Sequence, residues 1–270
     1  IHYRRQSVSL DLIGEKTGTA GVVTPAFAQS PASARVQAQF LNLGTAAGVA
    51  ETSGMTALNA TYKAGENFDI SLWDYIAHDI ANTIYADANY NMPIMKGAKL
   101  TLSAQYLKQS EDGDKLAGNI NFSMYGAKAK VGNKKWSAYL AYNASNDEDG
   151  ATTRGSFFNA WGADPAYTSS IFSRNAYRQD VSAYKIGGHY TIMKGLKVMA
   201  SHADYGKSKT TVGALSATND ATETDIVLVY KPTKAVMLKL FNAIRTSEYS
   251  DGTALGRKQN HIRAIASYTF

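Results

Sequence analysis

The chain has 270 residues with 28 Lys and Arg against 22 Asp and Glu, 22 Gly, 17 Tyr and no Cys, for a formal charge of +6. The lack of Cys excludes a disulfide framework and thiolate metal sites, and no stretch reaches the roughly 20 consecutive apolar residues of a spanning helix. With 19% charged residues and a mean hydropathy of -0.27, the chain is neither disordered nor a helical membrane protein; it is either soluble or crosses a bilayer as strands, and its pI near 9.2 suits an anionic partner.

The opening "IHYRRQSVSL" has basic residues but no apolar core after them, so it does not read as a secretory leader. A first strand is expected over 4–13 and another over 34–43, followed by "TALNATY" at 56–62, a segment at 68–79 and "TIYADANY" at 83–90. "KLTLSAQYL" sets the pattern: Leu100, Leu102, Ala104 and Tyr106 share one face, and Lys99, Thr101, Ser103 and Gln105 the other, because successive side chains of a strand point to opposite sides. The same alternation continues in 118–131, "WSAYLAY" at 136–142, "YKIGGHYTI" at 184–192, "LKVMASH" at 196–202, "TDIVLVY" at 224–230 and "MLKLFNAI" at 237–244, ending in "HIRAIASYTF". The count is roughly 12 to 14 strands of ~10 residues each, the length that suits a tilted membrane strand.

Links between the strands are expected to alternate in length. "KAGEN", "MPIMKGAK", "GNKK", "MKG" and "KPTKA" are short, whereas 44–54, 110–117, 146–180, 207–221 and 248–259 are long. A meander of this kind has its turns at one end and its loops at the other, as transmembrane barrels do. Alternation alone also fits a soluble β-sandwich with its apolar face inward. Tyr62, Tyr90, Tyr106, Tyr142, Tyr190, Tyr230 and Tyr268 break the tie, since all fall on the apolar face near strand ends, where aromatic girdles form at a bilayer interface. Phe270 belongs to the same girdle in this reading, and Asp74, which alternation places on the lipid face, calls for a bulge or a position above the girdle.

The final strand, ending in an aromatic residue, one spacer and Phe270, resembles the closing strand of bacterial outer-membrane barrels. "NFDISLWDYIAHDIANTIYADANY" (67–90), "SMYGAKAKVG" (123–132) and "WGADPAYTSSIFSRNAYRQDVSAYKIGGHY" (161–190) resemble segments of the OprD-type porins, particularly those of the Campylobacter-related bacteria. The loop segment carrying Trp161, Asp164, Pro165, Arg174 and Tyr177 is the specific part, and the likeness covers most of 55–270. It implies an all-β fold, a transmembrane antiparallel β-barrel of 18 strands. Residues 1–270 would form one barrel domain, the C-terminal two-thirds of such a chain and lacking its N-terminal strands. Segment 14–33 fits the family poorly. The resemblance implies an outer-membrane location and passive passage of small hydrophilic solutes. Lipid and lipopolysaccharide are the expected surroundings, the oligomeric state is left open with a homotrimer as one alternative, and no cofactor is implied.

If the aliphatic and Tyr face meets lipid, the opposite face lines a lumen. Its deep basic members are Lys128, Lys185, Lys239, Arg245 and Arg263, candidates for a ladder that attracts carboxylate or phosphate groups; its acidic members include Asp87, Glu223 and Asp225. Each charge must face water or protein, since one in hydrocarbon costs a few kcal/mol. The connection 146–180, with Asp164, Arg174 and Arg178 among several aromatic residues, is the candidate pore constriction, because long connections are uncommon unless functional. Two further functions stay open: a nonselective trimeric major porin, and a barrel-embedded hydrolase using His78 or His189 with a Ser and a carboxylate. "GKSKT" (206–210) lacks the first Gly of a phosphate loop, and "NDEDG" (146–150) lacks the end ligands of a calcium loop. Basic residues dispersed through strands and turns do not make a nucleic-acid face.

Overall fold

A computed structural model of the chain describes residues 5–17, 26–28, 43–44, 48–95, 97–147, 156–158, 164–212, 215–249 and 257–269. They hold one sheet of 13 strands. In chain order these are β1 (Arg5–Thr17), β2 (Ala26–Ala28), β3 (Met55–Ala64), β4 (Phe68–Ala77), β5 (Ala81–Met95), β6 (Ala98–Glu111), β7 (Asn121–Gly132), β8 (Trp136–Ser145), β9 (Ser182–Met193), β10 (Leu196–Val212), β11 (Leu215–Tyr230), β12 (Val236–Tyr249) and β13 (Arg257–Thr269). From β3 to β13 every strand pairs antiparallel with the next, β13 also pairs with β1, and β1 with β2. No helix among the described residues is long and apolar enough to cross a membrane.

Alternation sorts the two faces as the sequence predicts, with the apolar rows outside. On β6, Leu102 and Tyr106 are 45% and 47% exposed, whereas Ser103 and Gln105 between them are 7% and 4% exposed. A soluble sandwich would bury the first pair and solvate the second. The sheet does the reverse, so the sandwich is excluded. Outward Leu58, Leu72, Leu140, Ile186, Ile226 and Leu240 repeat the arrangement around the sheet.

The expected single girdle is two rows. Tyr62, Tyr90, Tyr190, Tyr230 and Tyr268 stand at the short-turn end, where Tyr190 pairs with Trp136 and Tyr268 with Val236. Tyr106 and Tyr142 stand higher, with Tyr125 and Tyr184: Tyr106 pairs with Tyr125, and the Tyr142 ring lies 6.3 Å from that of Tyr125 and 4.9 Å from that of Tyr184. Six residues separate Trp136 from Tyr142, roughly 20 Å along a strand, which suits the two edges of an apolar band. Asp74 needs no bulge. It pairs in unbroken register with Leu58 and Ile84, one step above the Leu72–Ala86–Tyr106 row, and so lies above the upper girdle.

Link lengths depart from the expected alternation. β4 and β5 are joined on the loop side by only His78–Ile80, and most of 207–221 is paired strand, Lys207 to Val212 against Leu215 to Asp220. Met92–Met95, read as part of a turn, extends β5, with a register shift beside Pro93, whose ring nitrogen has no hydrogen to give the ladder. Phe270, Trp161 and most of the link 248–259 lie outside the described residues.

Candidate functional site

The inner wall is interrupted by small residues. Ala183, Ala203, Ala221 and Ala243 are all inward and no more than 1% exposed. Gly187 belongs with them: a Cβ there would come 2.6 Å from the Tyr139 hydroxyl and 2.7 Å from Ser201 Cβ. Ladder pairing aligns the polar groups between these gaps into rows. One runs Lys185, Ala203, Glu223, Arg245 across β9 to β12, and the next runs Gly187, Ser201, Asp225, Ala243, His261 across β9 to β13.

The connection between β8 and β9 fills the space those small residues leave. Gln109 on β6 binds the chain at Phe158, donating to its carbonyl at 2.9 Å and accepting from its N–H at 2.8 Å. Asn143 Oδ1 on β8 accepts from both the N–H and the hydroxyl of Thr168, at 2.9 and 3.0 Å. Tyr205 on β10 donates toward the Thr168 carbonyl at 2.9 Å and Ser170 Oγ at 2.8 Å, and the Lys185 ammonium donates to the Ser169 carbonyl. The Phe172 N–H donates to Glu223 at 2.8 Å and the Ile171 N–H to Asp225 at 3.3 Å. Asn175, in a short 3-10 turn, reaches Asn219 at 2.6 Å and accepts from Arg245 at 3.3 Å, and the Phe172 ring stacks on His261 of β13 at 4.4 Å. A single segment thus touches β6 through β13. Eight strands laid flat would span roughly 34 Å, so the sheet must curl around the loop.

The loop holds its own shape through Asp164, which accepts from Arg174 at 2.6 Å, Tyr177 at 2.7 Å and Ser169 at 2.8 Å. Burial pushes the Tyr177 hydroxyl upward and that of Tyr167 to about 12, so both remain neutral donors. Beneath the loop lies a cavity of about 390 Å³ whose walls include Lys128, Lys130, Lys185, His189, Tyr167 and Asp225; a neighbouring one of about 770 Å³ shares Lys128 and Lys130 and adds Lys99 and Lys134. Polar walls, an outward lipid face and an inward loop describe a water-filled passage through a membrane.

The family model described as outer membrane porin, OprD family, matches residues 23–270. The chain belongs to the OprD family of outer membrane porins. It is therefore a protein of the bacterial outer membrane. No curated protein matches it by sequence. Solved structures agree on the fold: OpdL of Pseudomonas aeruginosa at 18% identity and TM-score 0.66, over 80% of this chain and 58% of that one, and OccAB4 of Acinetobacter baumannii at 16% and 0.66, over 82% and 54%. OpdK of Pseudomonas aeruginosa, solved with vanillate, aligns at 17% and 0.63, over 82% and 57%. The chain thus spans between half and two-thirds of the length of these structures.

Within this porin the predicted residues fall into three groups. Lys128 faces inward with its ammonium 4.2 Å from the centre of the Tyr167 ring, Lys239 and Arg263 flank the Phe241 ring at 5.2 and 5.6 Å, and Asp87 lies on the same face of β5 beside Asn89. Lys185, Glu223 and Asp225, expected to line open water, are instead 7%, 1% and 4% exposed, covered by the loop they hold; Arg245 also reaches the loop. Asp164 and Arg174 pair with each other, and Arg178 sits at the loop's return to β9, its carbonyl accepting from Ser145 at 2.6 Å. Asn143, Gln109 and Tyr205 were not foreseen. Inward polar and aromatic residues too large for a plain water-facing wall were the signal for them. Ser137 Oγ does lie 2.6 Å from His189 Nδ1, but no carboxylate among the described residues hydrogen-bonds that ring, and its charged neighbours are Lys197 and Lys130.

Proposed function

We propose that this porin passes small hydrophilic solutes by diffusion, that the segment 164–175 narrows its lumen, and that anionic or carboxylate-bearing solutes are favoured there. One observation carries the reading: once the loop has engaged Lys185, Glu223 and Asp225, the charged groups left on the cavity walls are Lys99, Lys128, Lys130 and Lys134 against one carboxylate, Asp69. Lys128 and Lys130 stand two residues apart on β7, both line the two adjoining cavities, and neither has an ion-pair partner among the described residues. An ammonium half-withdrawn from water gains most from a counter-charge that arrives with the solute. Vanillate in OpdK, itself a carboxylate, is consistent with this in a protein of the same fold. A hydrolytic role lacks the carboxylate that Ser137 and His189 would need.

Planar-bilayer recordings in a salt gradient test the proposal. The unaltered protein gives a reversal potential on the anion side, and Lys128→Glu with Lys130→Glu moves it toward cations; Lys239→Glu with Arg245→Glu moves it in the same direction. A cation-favouring potential in the unaltered protein, or no response to either pair, would sink it.

A further inference from the structure

Glu223 and Asp225 are two residues apart on the inward face of β11, and each uses one carboxyl oxygen to accept a backbone N–H of the loop, from Phe172 at 2.8 Å and Ile171 at 3.3 Å. Their other oxygens, Glu223 Oε2 and Asp225 Oδ1, are fully buried with no hydrogen-bond partner among the described residues. Because the two N–H groups they hold are consecutive in the chain, the two carboxyl groups lie side by side beneath the loop. Two carboxylates side by side and out of water repel each other, and one proton supplied to the pair offsets that repulsion and gives the orphan oxygens a hydrogen to share.

The charged and titratable groups facing the pair are Lys185 on β9, Tyr205 on β10, Tyr139 on β8, Arg245 on β12 and His261 on β13, with Asp164 of the loop acting on Lys185. Lys185 is occupied by the Ser169 carbonyl and Ser170, and Arg245 by Asn175. Both cations are thereby fixed to the same loop. Loss of the shared proton therefore places two like charges side by side beneath residues 171 and 172 and re-creates two unpartnered buried oxygens.

We infer that Glu223 and Asp225 are positioning residues that latch the loop across the lumen through one shared proton, so that the width of the pore responds to pH. This rests on the loop's role as the constriction. In the protonated pair the latch is closed; as pH rises and that proton leaves, repulsion under the Ile171–Phe172 turn frees the segment and the pore widens. The acidic residues on this wall then act on solutes only through the loop's position.

The test is single-channel conductance of the purified protein in planar bilayers at constant salt, stepped from pH 5 to pH 9, alongside Glu223→Gln and Asp225→Asn. Either amide imitates the protonated partner, since it donates to the remaining carboxylate while its oxygen still accepts the loop N–H. The unaltered protein is expected to show one upward conductance step with rising pH, and each variant to lose that step and keep the low-pH conductance throughout. Ion preference at pH 5 stays the same in all three. A step that persists in both variants, or a pH-independent conductance in the unaltered protein, overturns the latch. Absence of any channel would instead count against the porin reading itself.

Discussion

Asn143 shows how one side chain sets the position of a whole segment. Its Oδ1 accepts twice from Thr168, and its amide donates to the Tyr125 carbonyl at 3.3 Å. Asn143→Ala leaves the buried Thr168 N–H without an acceptor, a loss of about 1–3 kcal/mol that falls on the loop and spares the ladder. Noisier single-channel traces with unchanged heat stability are the expected outcome. Gly126 on β7 makes the same point from the opposite side, because a Cβ there would lie 2.2 Å from the Asn143 amide nitrogen. Gly126→Ala is expected to displace Asn143 and reproduce the Asn143→Ala conductance phenotype. Alternation placed Glu223 and Asp225 on the inward face, and that much was legible. Whether an inward group meets water or a loop depends on contacts 25 to 54 positions away in sequence, which no local pattern encodes.

At the scale of the strands, the period of two carried nearly everything, because lipid on one side and a polar interior on the other impose opposite demands on neighbouring residues. The tyrosines were placed on the correct face but merged into one level. Depth along a strand is set by ladder register, and the sequence of one strand does not reveal how far its neighbour is offset. Link lengths misled for a related reason: residues 207–212 and 215–220 are polar enough to read as loop, yet they pair as strand beyond the apolar band, where no lipid selects for aliphatic residues. Replacing Tyr125 and Tyr184 by Ala removes two rings from the upper row and the contacts on either side of Tyr142. Aromatic pairs contribute about 0.5–1.5 kcal/mol each, so a lower temperature for the heat-induced mobility shift in electrophoresis is expected. Conductance, which depends on the opposite face, stays as it was.

For the molecule as a whole, the wall is held by backbone ladders between neighbouring strands, and the loop by side chains spread over eight of them. Removing residues 164–175 and rejoining the chain should therefore leave a folded barrel with a larger conductance, measured in the same bilayers; a protein that no longer inserts would show the loop to be part of the wall's own stability. The anchors also join positions far apart in the chain, Gln109 to Phe158, Asp225 to Ile171 and Arg245 to Asn175. Contacts of such long range form late, after the intervening strands have been brought together. With the segment as the proposed constriction, channels recorded just after insertion are expected to be wider than the same channels later.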